Sequence, residues 1–76
     1  MVQLQEAVVS SRKFLFEVFG GEIPVTGTAL EGVELTEDMK FWLVTFSYWD
    51  NAIKRYKTVK LRAADGVAFG IKNPDL

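Results

Sequence analysis

Residues 40–49, KFWLVTFSYW, carry more aromatic and β-branched side chains than one buried strand face requires. Successive side chains of a strand point to opposite faces, so the segment divides into two rows. One row is wholly apolar and consists of Trp42, Val44, Phe46 and Tyr48. The other row is amphipathic and consists of Phe41, Leu43, Thr45, Ser47 and Trp49. We predict that the apolar row faces the core, and the amphipathic row raises the question of what covers it.

The composition indicates one small globular domain spanning residues 1–76. Hydrophobic residues make up 49% of the chain and charged residues 25%, which is the balance of an ordinary soluble domain. The chain has neither cysteine nor histidine, so it lacks the commonest general base, the commonest metal ligand and the best thiol nucleophile. We therefore expect no catalytic activity, no metal and no cofactor.

The N-terminal segment has the apolar period of a helix. At 100° per residue, one arc between residues 4 and 19 holds only Ser11 as a polar member, and Gly20 with Gly21 supplies a C-terminal stop. A loop containing Pro24 is expected to lead into a short edge strand over residues 30–36.

Two turn signals divide the rest of the chain into strands. Asp50-Asn51 precedes a strand over residues 55–63, and Asp65-Gly66 is typical of a two-residue hairpin before a last strand that Pro74 ends. Lys57 interrupts the apolar row of the third strand, so either the packed part of this strand begins at Thr58 or a bulge turns Tyr56 inward. Short connections force antiparallel neighbours.

We therefore predict an α+β fold in which one N-terminal helix packs on a four-stranded antiparallel meander sheet. The predicted core consists of Leu4, Ala7, Val8, Leu15, Val18, Phe19, Val33, Leu35, Trp42, Val44, Phe46, Tyr48, Val59, Leu61, Val67, Phe69 and Ile71.

The amphipathic row is the main candidate for binding. A helix on one face of such a sheet leaves the other face open, where we expect Phe41, Leu43, Trp49, Tyr56, Lys60 and Arg62. Val9 and Phe16 form a second small apolar patch on the far side of the helix. Exposed aromatic clusters of this kind mark interaction sites, so we expect a protein partner or self-association, which includes a homodimer.

The alternative is single-stranded nucleic-acid binding through the sheet aromatics and the basic strand over residues 54–62. A net charge of −1 argues against it, because no global field would attract a polyanion. Residues 22–38 contain five acidic side chains and no basic one, and residues 54–62 contain five basic side chains and no acidic one. If these segments flank the central strand, the sheet has an acidic and a basic margin; otherwise they are two solvated faces.

No signal peptide or membrane-spanning run is recognisable, so we expect no membrane association and a cytoplasmic location. An extracytoplasmic location is expected instead if the chain is part of a longer exported protein.

Between residues 7 and 71 the chain resembles the bacterial PepSY domain family, which is named for peptidase propeptides. The resemblance rests on the helix that closes at Phe19-Gly20-Gly21, on the aromatic strand FWLVT at 41–45, and on VKLRAADGV at 59–67, although Arg62 stands where the family has an aspartate. It implies a non-catalytic module that contacts or inhibits a peptidase or regulates an attached domain.

Overall fold

The computed structural model describes residues 1–23 and 27–73. In these ranges the chain forms helix α1 (Leu4–Phe19), a 3₁₀ turn (Gly20–Glu22) and strands β1 (Ala29–Leu35), β2 (Phe41–Asp50), β3 (Ile53–Arg62) and β4 (Ala68–Lys72). The strands form one sheet in the order β1-β2-β3-β4, with antiparallel neighbours. The predicted α+β fold, one helix on a four-stranded meander, is thus confirmed. The expectations for Pro24 and Pro74 concern positions outside the described residues.

The central pair β2 and β3 is regular along its whole length. Residues pair from Phe41 opposite Arg62 to Asp50 opposite Ile53 without a register shift, so the bulge considered near Lys57 is absent. A two-residue turn joins the strands, and Asn51 and Ala52 both have positive φ, at 50° and 69°, as a type I′ turn requires.

Lys57 lies on the helix side of the sheet, because it pairs with Phe46. It remains at the margin of the core, where its Nζ lies 5.3 Å from the ring centroid of Phe19. Tyr56 consequently points to the opposite face.

The core lies between α1 and the sheet. Its buried apolar members among the described residues are Ala7, Leu15, Ile23, Trp42, Val44, Phe46, Tyr48, Val59, Leu61 and Ala63. The predicted inner row of β2 is therefore buried as expected. Ser11 is also buried in the helix face, and its hydroxyl donates to the Val8 carbonyl at 3.0 Å, which satisfies its polar atom.

The core prediction is wrong for two residues of the helix. Leu4 and Val18 project toward the same side as Ala7 and Ser11, yet each exposes about half of its surface, 50% and 54%. They lie in the first and last turns of α1, whereas the residues buried under the helix come from its middle.

The prediction for β4 fails because this strand contains a bulge. Gly70 pairs with Lys60 but Ala68 pairs with Leu61, so Phe69 is an extra residue between two paired ones. Ala68 therefore packs against the core, while Phe69 is 51% exposed and Val67 49% exposed. Both had been expected in the core.

The connection before β4 is also longer than the predicted two-residue hairpin. It spans residues 63–67, and the Arg62 amide donates to the Val67 carbonyl at 2.9 Å. Gly66 has a φ of 77°, a value that glycine adopts most readily.

The N-terminus ties the helix to one end of the sheet. The Val2 amide donates to the Ala63 carbonyl at 2.8 Å, and the Trp42 indole N–H donates to the Val2 carbonyl at 3.3 Å. These bonds anchor the chain just before α1 and so help hold the helix on one face of the sheet.

Candidate functional site

The face of the sheet that points away from α1 is the candidate site, and we call it the outer face. It is formed by alternate residues of β2 from Phe41 to Trp49 and of β3 from Lys54 to Arg62, with their neighbours in β1 and β4. Among the described residues, no helix or strand packs across it. The alternation of residues 40–49 therefore produces one row that packs under α1 and one row that no described helix or strand crosses.

The centre of the outer face is polar and internally hydrogen-bonded. The hydroxyls of Thr45 and Thr58 lie 2.8 Å apart, and the Ser47 hydroxyl donates to the carboxylate of Glu31. Ser47 and Thr58 are only 2% and 4% exposed. Within the described residues, no buried side-chain nitrogen or oxygen lacks a hydrogen-bond partner, so this centre has no unmet polar group.

One end of the outer face carries an aromatic cluster, which we call the phenylalanine cluster and define as Phe41, Phe69 and Lys60. The two rings are tilted by 58° with centroids 5.4 Å apart. The Lys60 Nζ lies 4.4 Å from the Phe41 centroid and 5.6 Å from the Phe69 centroid, within the range of cation–π attraction. The cluster is thus an ordered apolar surface that carries a positive charge.

Two open hollows adjoin this cluster and share Phe41 and Arg62 in their walls. One has a volume of about 340 Å³ and is completed by Val67 and Phe69. The other has a volume of about 450 Å³ and is lined by Met1, Met39, Lys40, Phe41, Arg62 and Ala64. Arg62 itself is paired, with its Nη2 2.8 Å from Oδ2 of Asp65.

The opposite end of the outer face carries Trp49, which is 62% exposed. Lys54 pairs with Trp49 across the strands, and its Nζ lies 5.6 Å from the Tyr56 ring centroid. Trp49 lies eight positions after Phe41 in β2, a distance of about 26 Å. The predicted residues therefore share a face but form two separate apolar regions, with Leu43 on the side of Phe41.

Hydrogen bonds favour the ionised forms of three groups on or beside this face, Glu31, Lys54 and Asp65. The pKa of Glu31 is lowered, first by the hydrogen bond from Ser47 and then by Lys54, whose Nζ lies 3.4 Å away. The same contact with Glu31 raises the pKa of Lys54. The Asp65 pKa is lowered, mainly by its hydrogen bond with Arg62.

Charge on the outer face is divided by strand. β1 contributes the acids Glu31 and Glu34, β2 contributes no charged side chain between Phe41 and Trp49, and β3 with β4 contributes four bases, Lys54, Lys60, Arg62 and Lys72. Because β1 and β4 are the two edges of the sheet, acidic and basic groups lie on opposite sides of the face, as the sequence predicts.

The second predicted patch, on the helix, does not form. Val9 is 69% exposed, but Phe16 is partly buried and packs against the core. Arg12 lies in the same sector of the helix, with its Cζ 5.3 Å from the ring centroid of Phe46. The buried sector of α1 is therefore broader on this side than the apolar arc predicts.

Phe69 and Val67 belong to the outer surface, although the alternation of the last strand predicts both in the core. The signal was Gly70, since a glycine inside a strand pattern often marks a bulge, and a bulge at this point turns Phe69 outward. Glu31 was also missed as a contributor. A register shift between Leu30 and Gly32 leaves it unpaired in the ladder, and its carboxylate instead meets Ser47 and Lys54.

In residues 1–23 and 27–73, no group of three or more acidic side chains is placed to hold a metal ion. The described part of the chain also contains no helix long and apolar enough to cross a membrane. No family model matches the chain, and neither a curated protein nor a solved structure shows significant similarity to it.

Proposed function

We propose that this domain is a non-catalytic protein-interaction module that binds another folded protein through its outer face. The observation that carries the proposal is the phenylalanine cluster on a sheet face that no described element covers. Aromatic side chains, phenylalanine included, are enriched at the interfaces between proteins relative to the rest of the surface.

The dimensions of the outer face favour a protein over a small ligand. The phenylalanine cluster and Trp49 lie about 26 Å apart, farther than one drug-sized molecule extends, while a protein surface covers both. Between them, the hydroxyls of Thr45 and Thr58 already bond to each other. A partner can therefore cover the centre without leaving a buried polar group unpaired, which would otherwise cost about 1–3 kcal/mol.

The chemistry of the face supports a binding role rather than a catalytic one. The Glu31 carboxylate has a lowered pKa and is engaged by Ser47 and Lys54, so it is poorly suited to deliver a proton near neutral pH. If the PepSY resemblance reflects function, the bound protein is a peptidase or an attached domain of the same polypeptide.

A matched pair of variants tests the proposal. Phe69→Ser removes an exposed ring from the outer face, and Val9→Ser removes an exposed side chain from the helix. A binding protein is captured on the immobilised chain, identified by mass spectrometry, purified and titrated calorimetrically. We expect Phe69→Ser to weaken binding by about tenfold or more and Val9→Ser to leave it unchanged, with both variants folded by circular dichroism.

The double variant Trp49→Ala, Leu43→Ser examines the other part of the face by the same titration. It should fold and bind more weakly. If it fails to fold, these side chains are structural; if binding instead depends on Val9 and not on Phe69, the binding surface is the helix and the proposal is wrong.

A second candidate function is single-stranded nucleic-acid binding, which one specific observation favours. Lys60 lies against both rings of the phenylalanine cluster, so stacking surface and positive charge coincide, as in sheets that bind unpaired bases. Fluorescence anisotropy of a labelled single-stranded oligonucleotide tests this. Binding at low salt that weakens steeply as salt rises would support it, and no binding at low salt would dispose of it.

A further inference from the structure

We infer that the protein bound by the outer face is a second copy of this chain, related to the first by a two-fold axis parallel to the strands. This inference rests on the proposed function and names the partner. Two sheets would then pack face to face at about 10 Å, with their strands aligned to within about 30°.

The placement of charge selects this axis. Rotation about a line parallel to the strands, between β2 and β3, places β1 of one copy over β4 of the other, and β2 over β3. The acidic Glu34 then lies over Gly70 of the second copy, two residues from Lys72 on the same edge strand, so the long side chains of Glu34 and Lys72 can approach each other. By symmetry the same contact forms twice, so both acidic edges meet basic edges.

The same axis places the uncharged β2 over the basic β3. Phe41 and Trp49 of one copy then lie over the strand that carries Lys54 and Arg62 of the other. An aromatic face attracts a cation in this arrangement. Lys54 and Arg62 thus face aromatic rings of the second copy rather than the bases of its β3.

The other face-to-face arrangement has its axis perpendicular to the strands and is disfavoured. It would place each strand over its own counterpart running in the opposite direction, so that Lys54 of one copy would face Arg62 of the other. It would also place the acids of β1 over each other. Like charges opposed across an interface are destabilising.

The polar centre is suited to burial between two sheets. Thr45 of one copy lies over Thr58 of the other in the proposed arrangement, and these hydroxyls are satisfied within each copy. Their side chains are short, so they permit close approach of the sheets, while the larger Phe41 and Trp49 fill the space toward the two ends.

The area of the face indicates a weak dimer. Strands of 7, 10, 10 and 5 residues, with about 3.3 Å per residue and 4.8 Å between strands, present about 500 Å². Two such faces bury about 1,000 Å², at the low end of specific interfaces. We therefore expect a dimer that forms at high micromolar concentration and dissociates on dilution.

Sedimentation equilibrium on the full chain tests the inference. The mass should rise from 8.6 kDa toward twice that value between about 10 μM and 1 mM. Amide chemical shifts should change over the same range in β2, β3 and their outer neighbours. A chain that stays monomeric at the highest concentration, or whose shifts change only on α1, overturns the inference.

Charge reversal tests the axis. Glu34→Lys and Lys72→Glu should each weaken dimerisation about tenfold, since each opposes like charges at two symmetric contacts. The double variant carrying both changes should restore it, as should mixing the two single variants. With the perpendicular axis Glu34→Lys would place a base over a strand that still carries Glu31 and would not weaken the dimer, so single variants that dimerise as tightly as the original chain contradict the proposed arrangement.

The outcomes separate this inference from the proposed function. If the chain is monomeric but a different purified protein requires Phe69 for binding, the second-copy inference is wrong and the interaction module stands. If it is monomeric and binds only oligonucleotides, both are wrong. Val9→Ser serves as the control throughout and should dimerise like the original chain.

Discussion

Replacement of Phe46 by alanine tests which row of β2 faces the core. Phe46 is the largest fully buried side chain of the described residues, with 0% of its surface exposed. Trp49 lies three residues farther along the same strand but is 62% exposed. Both positions carry a large aromatic side chain, but Phe46 is buried and Trp49 is exposed. The two substitutions to alanine therefore form a matched pair.

The structure sets the expected cost of Phe46→Ala. Loss of the ring removes about 150 Å² of buried apolar contact, worth about 4 kcal/mol at 25 cal/mol per Å². The Arg12 guanidinium also lies 5.3 Å from the ring centroid, and its attraction adds about 0.5–1 kcal/mol. Partial collapse of the cavity offsets some of this, so we expect a loss of about 3–5 kcal/mol.

Urea denaturation followed by circular dichroism measures the loss, and it avoids the fluorescence changes that substitution of Trp49 would cause. A domain of 76 residues has a total stability of about 4–11 kcal/mol, so Phe46→Ala can leave it largely unfolded. Phe46→Leu, expected to cost about 1–1.5 kcal/mol, keeps the measurement within range. Trp49→Ala should cost less than about 1 kcal/mol.

If Phe46→Ala and Phe46→Leu are both as stable as the original chain, Phe46 does not lie in the core. If Trp49→Ala costs as much stability as Phe46→Ala, the two rows of β2 do not differ in burial. Either result contradicts the assignment of the inner row.

Two further predictions concern the β2–β3 turn and the outer face. Ala52 has a φ of 69°, so Ala52→Gly should relieve strain and raise the free energy of unfolding by about 0.5–1 kcal/mol in urea titrations; a loss of stability would contradict the assigned turn. The pKa of Glu31 is lowered in the folded chain by its hydrogen bond with Ser47 and by Lys54, so its stabilising effect is present above the pKa of the unfolded chain and is lost as the pH falls through the lowered pKa of the folded chain. Glu31→Gln should therefore flatten the acid side of the stability profile measured by thermal unfolding, whereas Glu17→Gln, on the exposed helix surface, should not; identical profiles for the two variants would refute the role of Glu31.

The site residues on β2 and β3 could be predicted from the sequence. The register of these two strands is unbroken, so alternation alone correctly places Phe41, Lys60 and Arg62 on one face. The spacing of eight positions along β2 also places Phe41 and Trp49 at opposite ends of that face, but a row in the sequence does not show which neighbours from other strands complete each end.

The sequence could not predict residue orientation where strand pairing is irregular, nor burial at the two ends of the helix. The bulge in β4 reverses Phe69 relative to the alternation, and this reversal creates the phenylalanine cluster. A bulge depends on how two strands pair, which is a property of both together. Likewise, the helical period places Leu4 and Val18 on the correct side of α1, but whether the core reaches the first and last turns depends on the packed sheet.

The element types, the two rows of β2, the meander order and the acidic and basic edges can be predicted from the sequence, because they follow from local backbone periodicity, from short connections that allow only antiparallel neighbours, and from the segregation of charge along the chain. Which aromatic residues meet on the outer face, and how the Glu31 carboxylate reaches Ser47 and Lys54, depend on the tertiary structure. Those properties arise from contacts between distant segments, in which a single extra residue in β4 is enough to move a phenylalanine from the core to the surface.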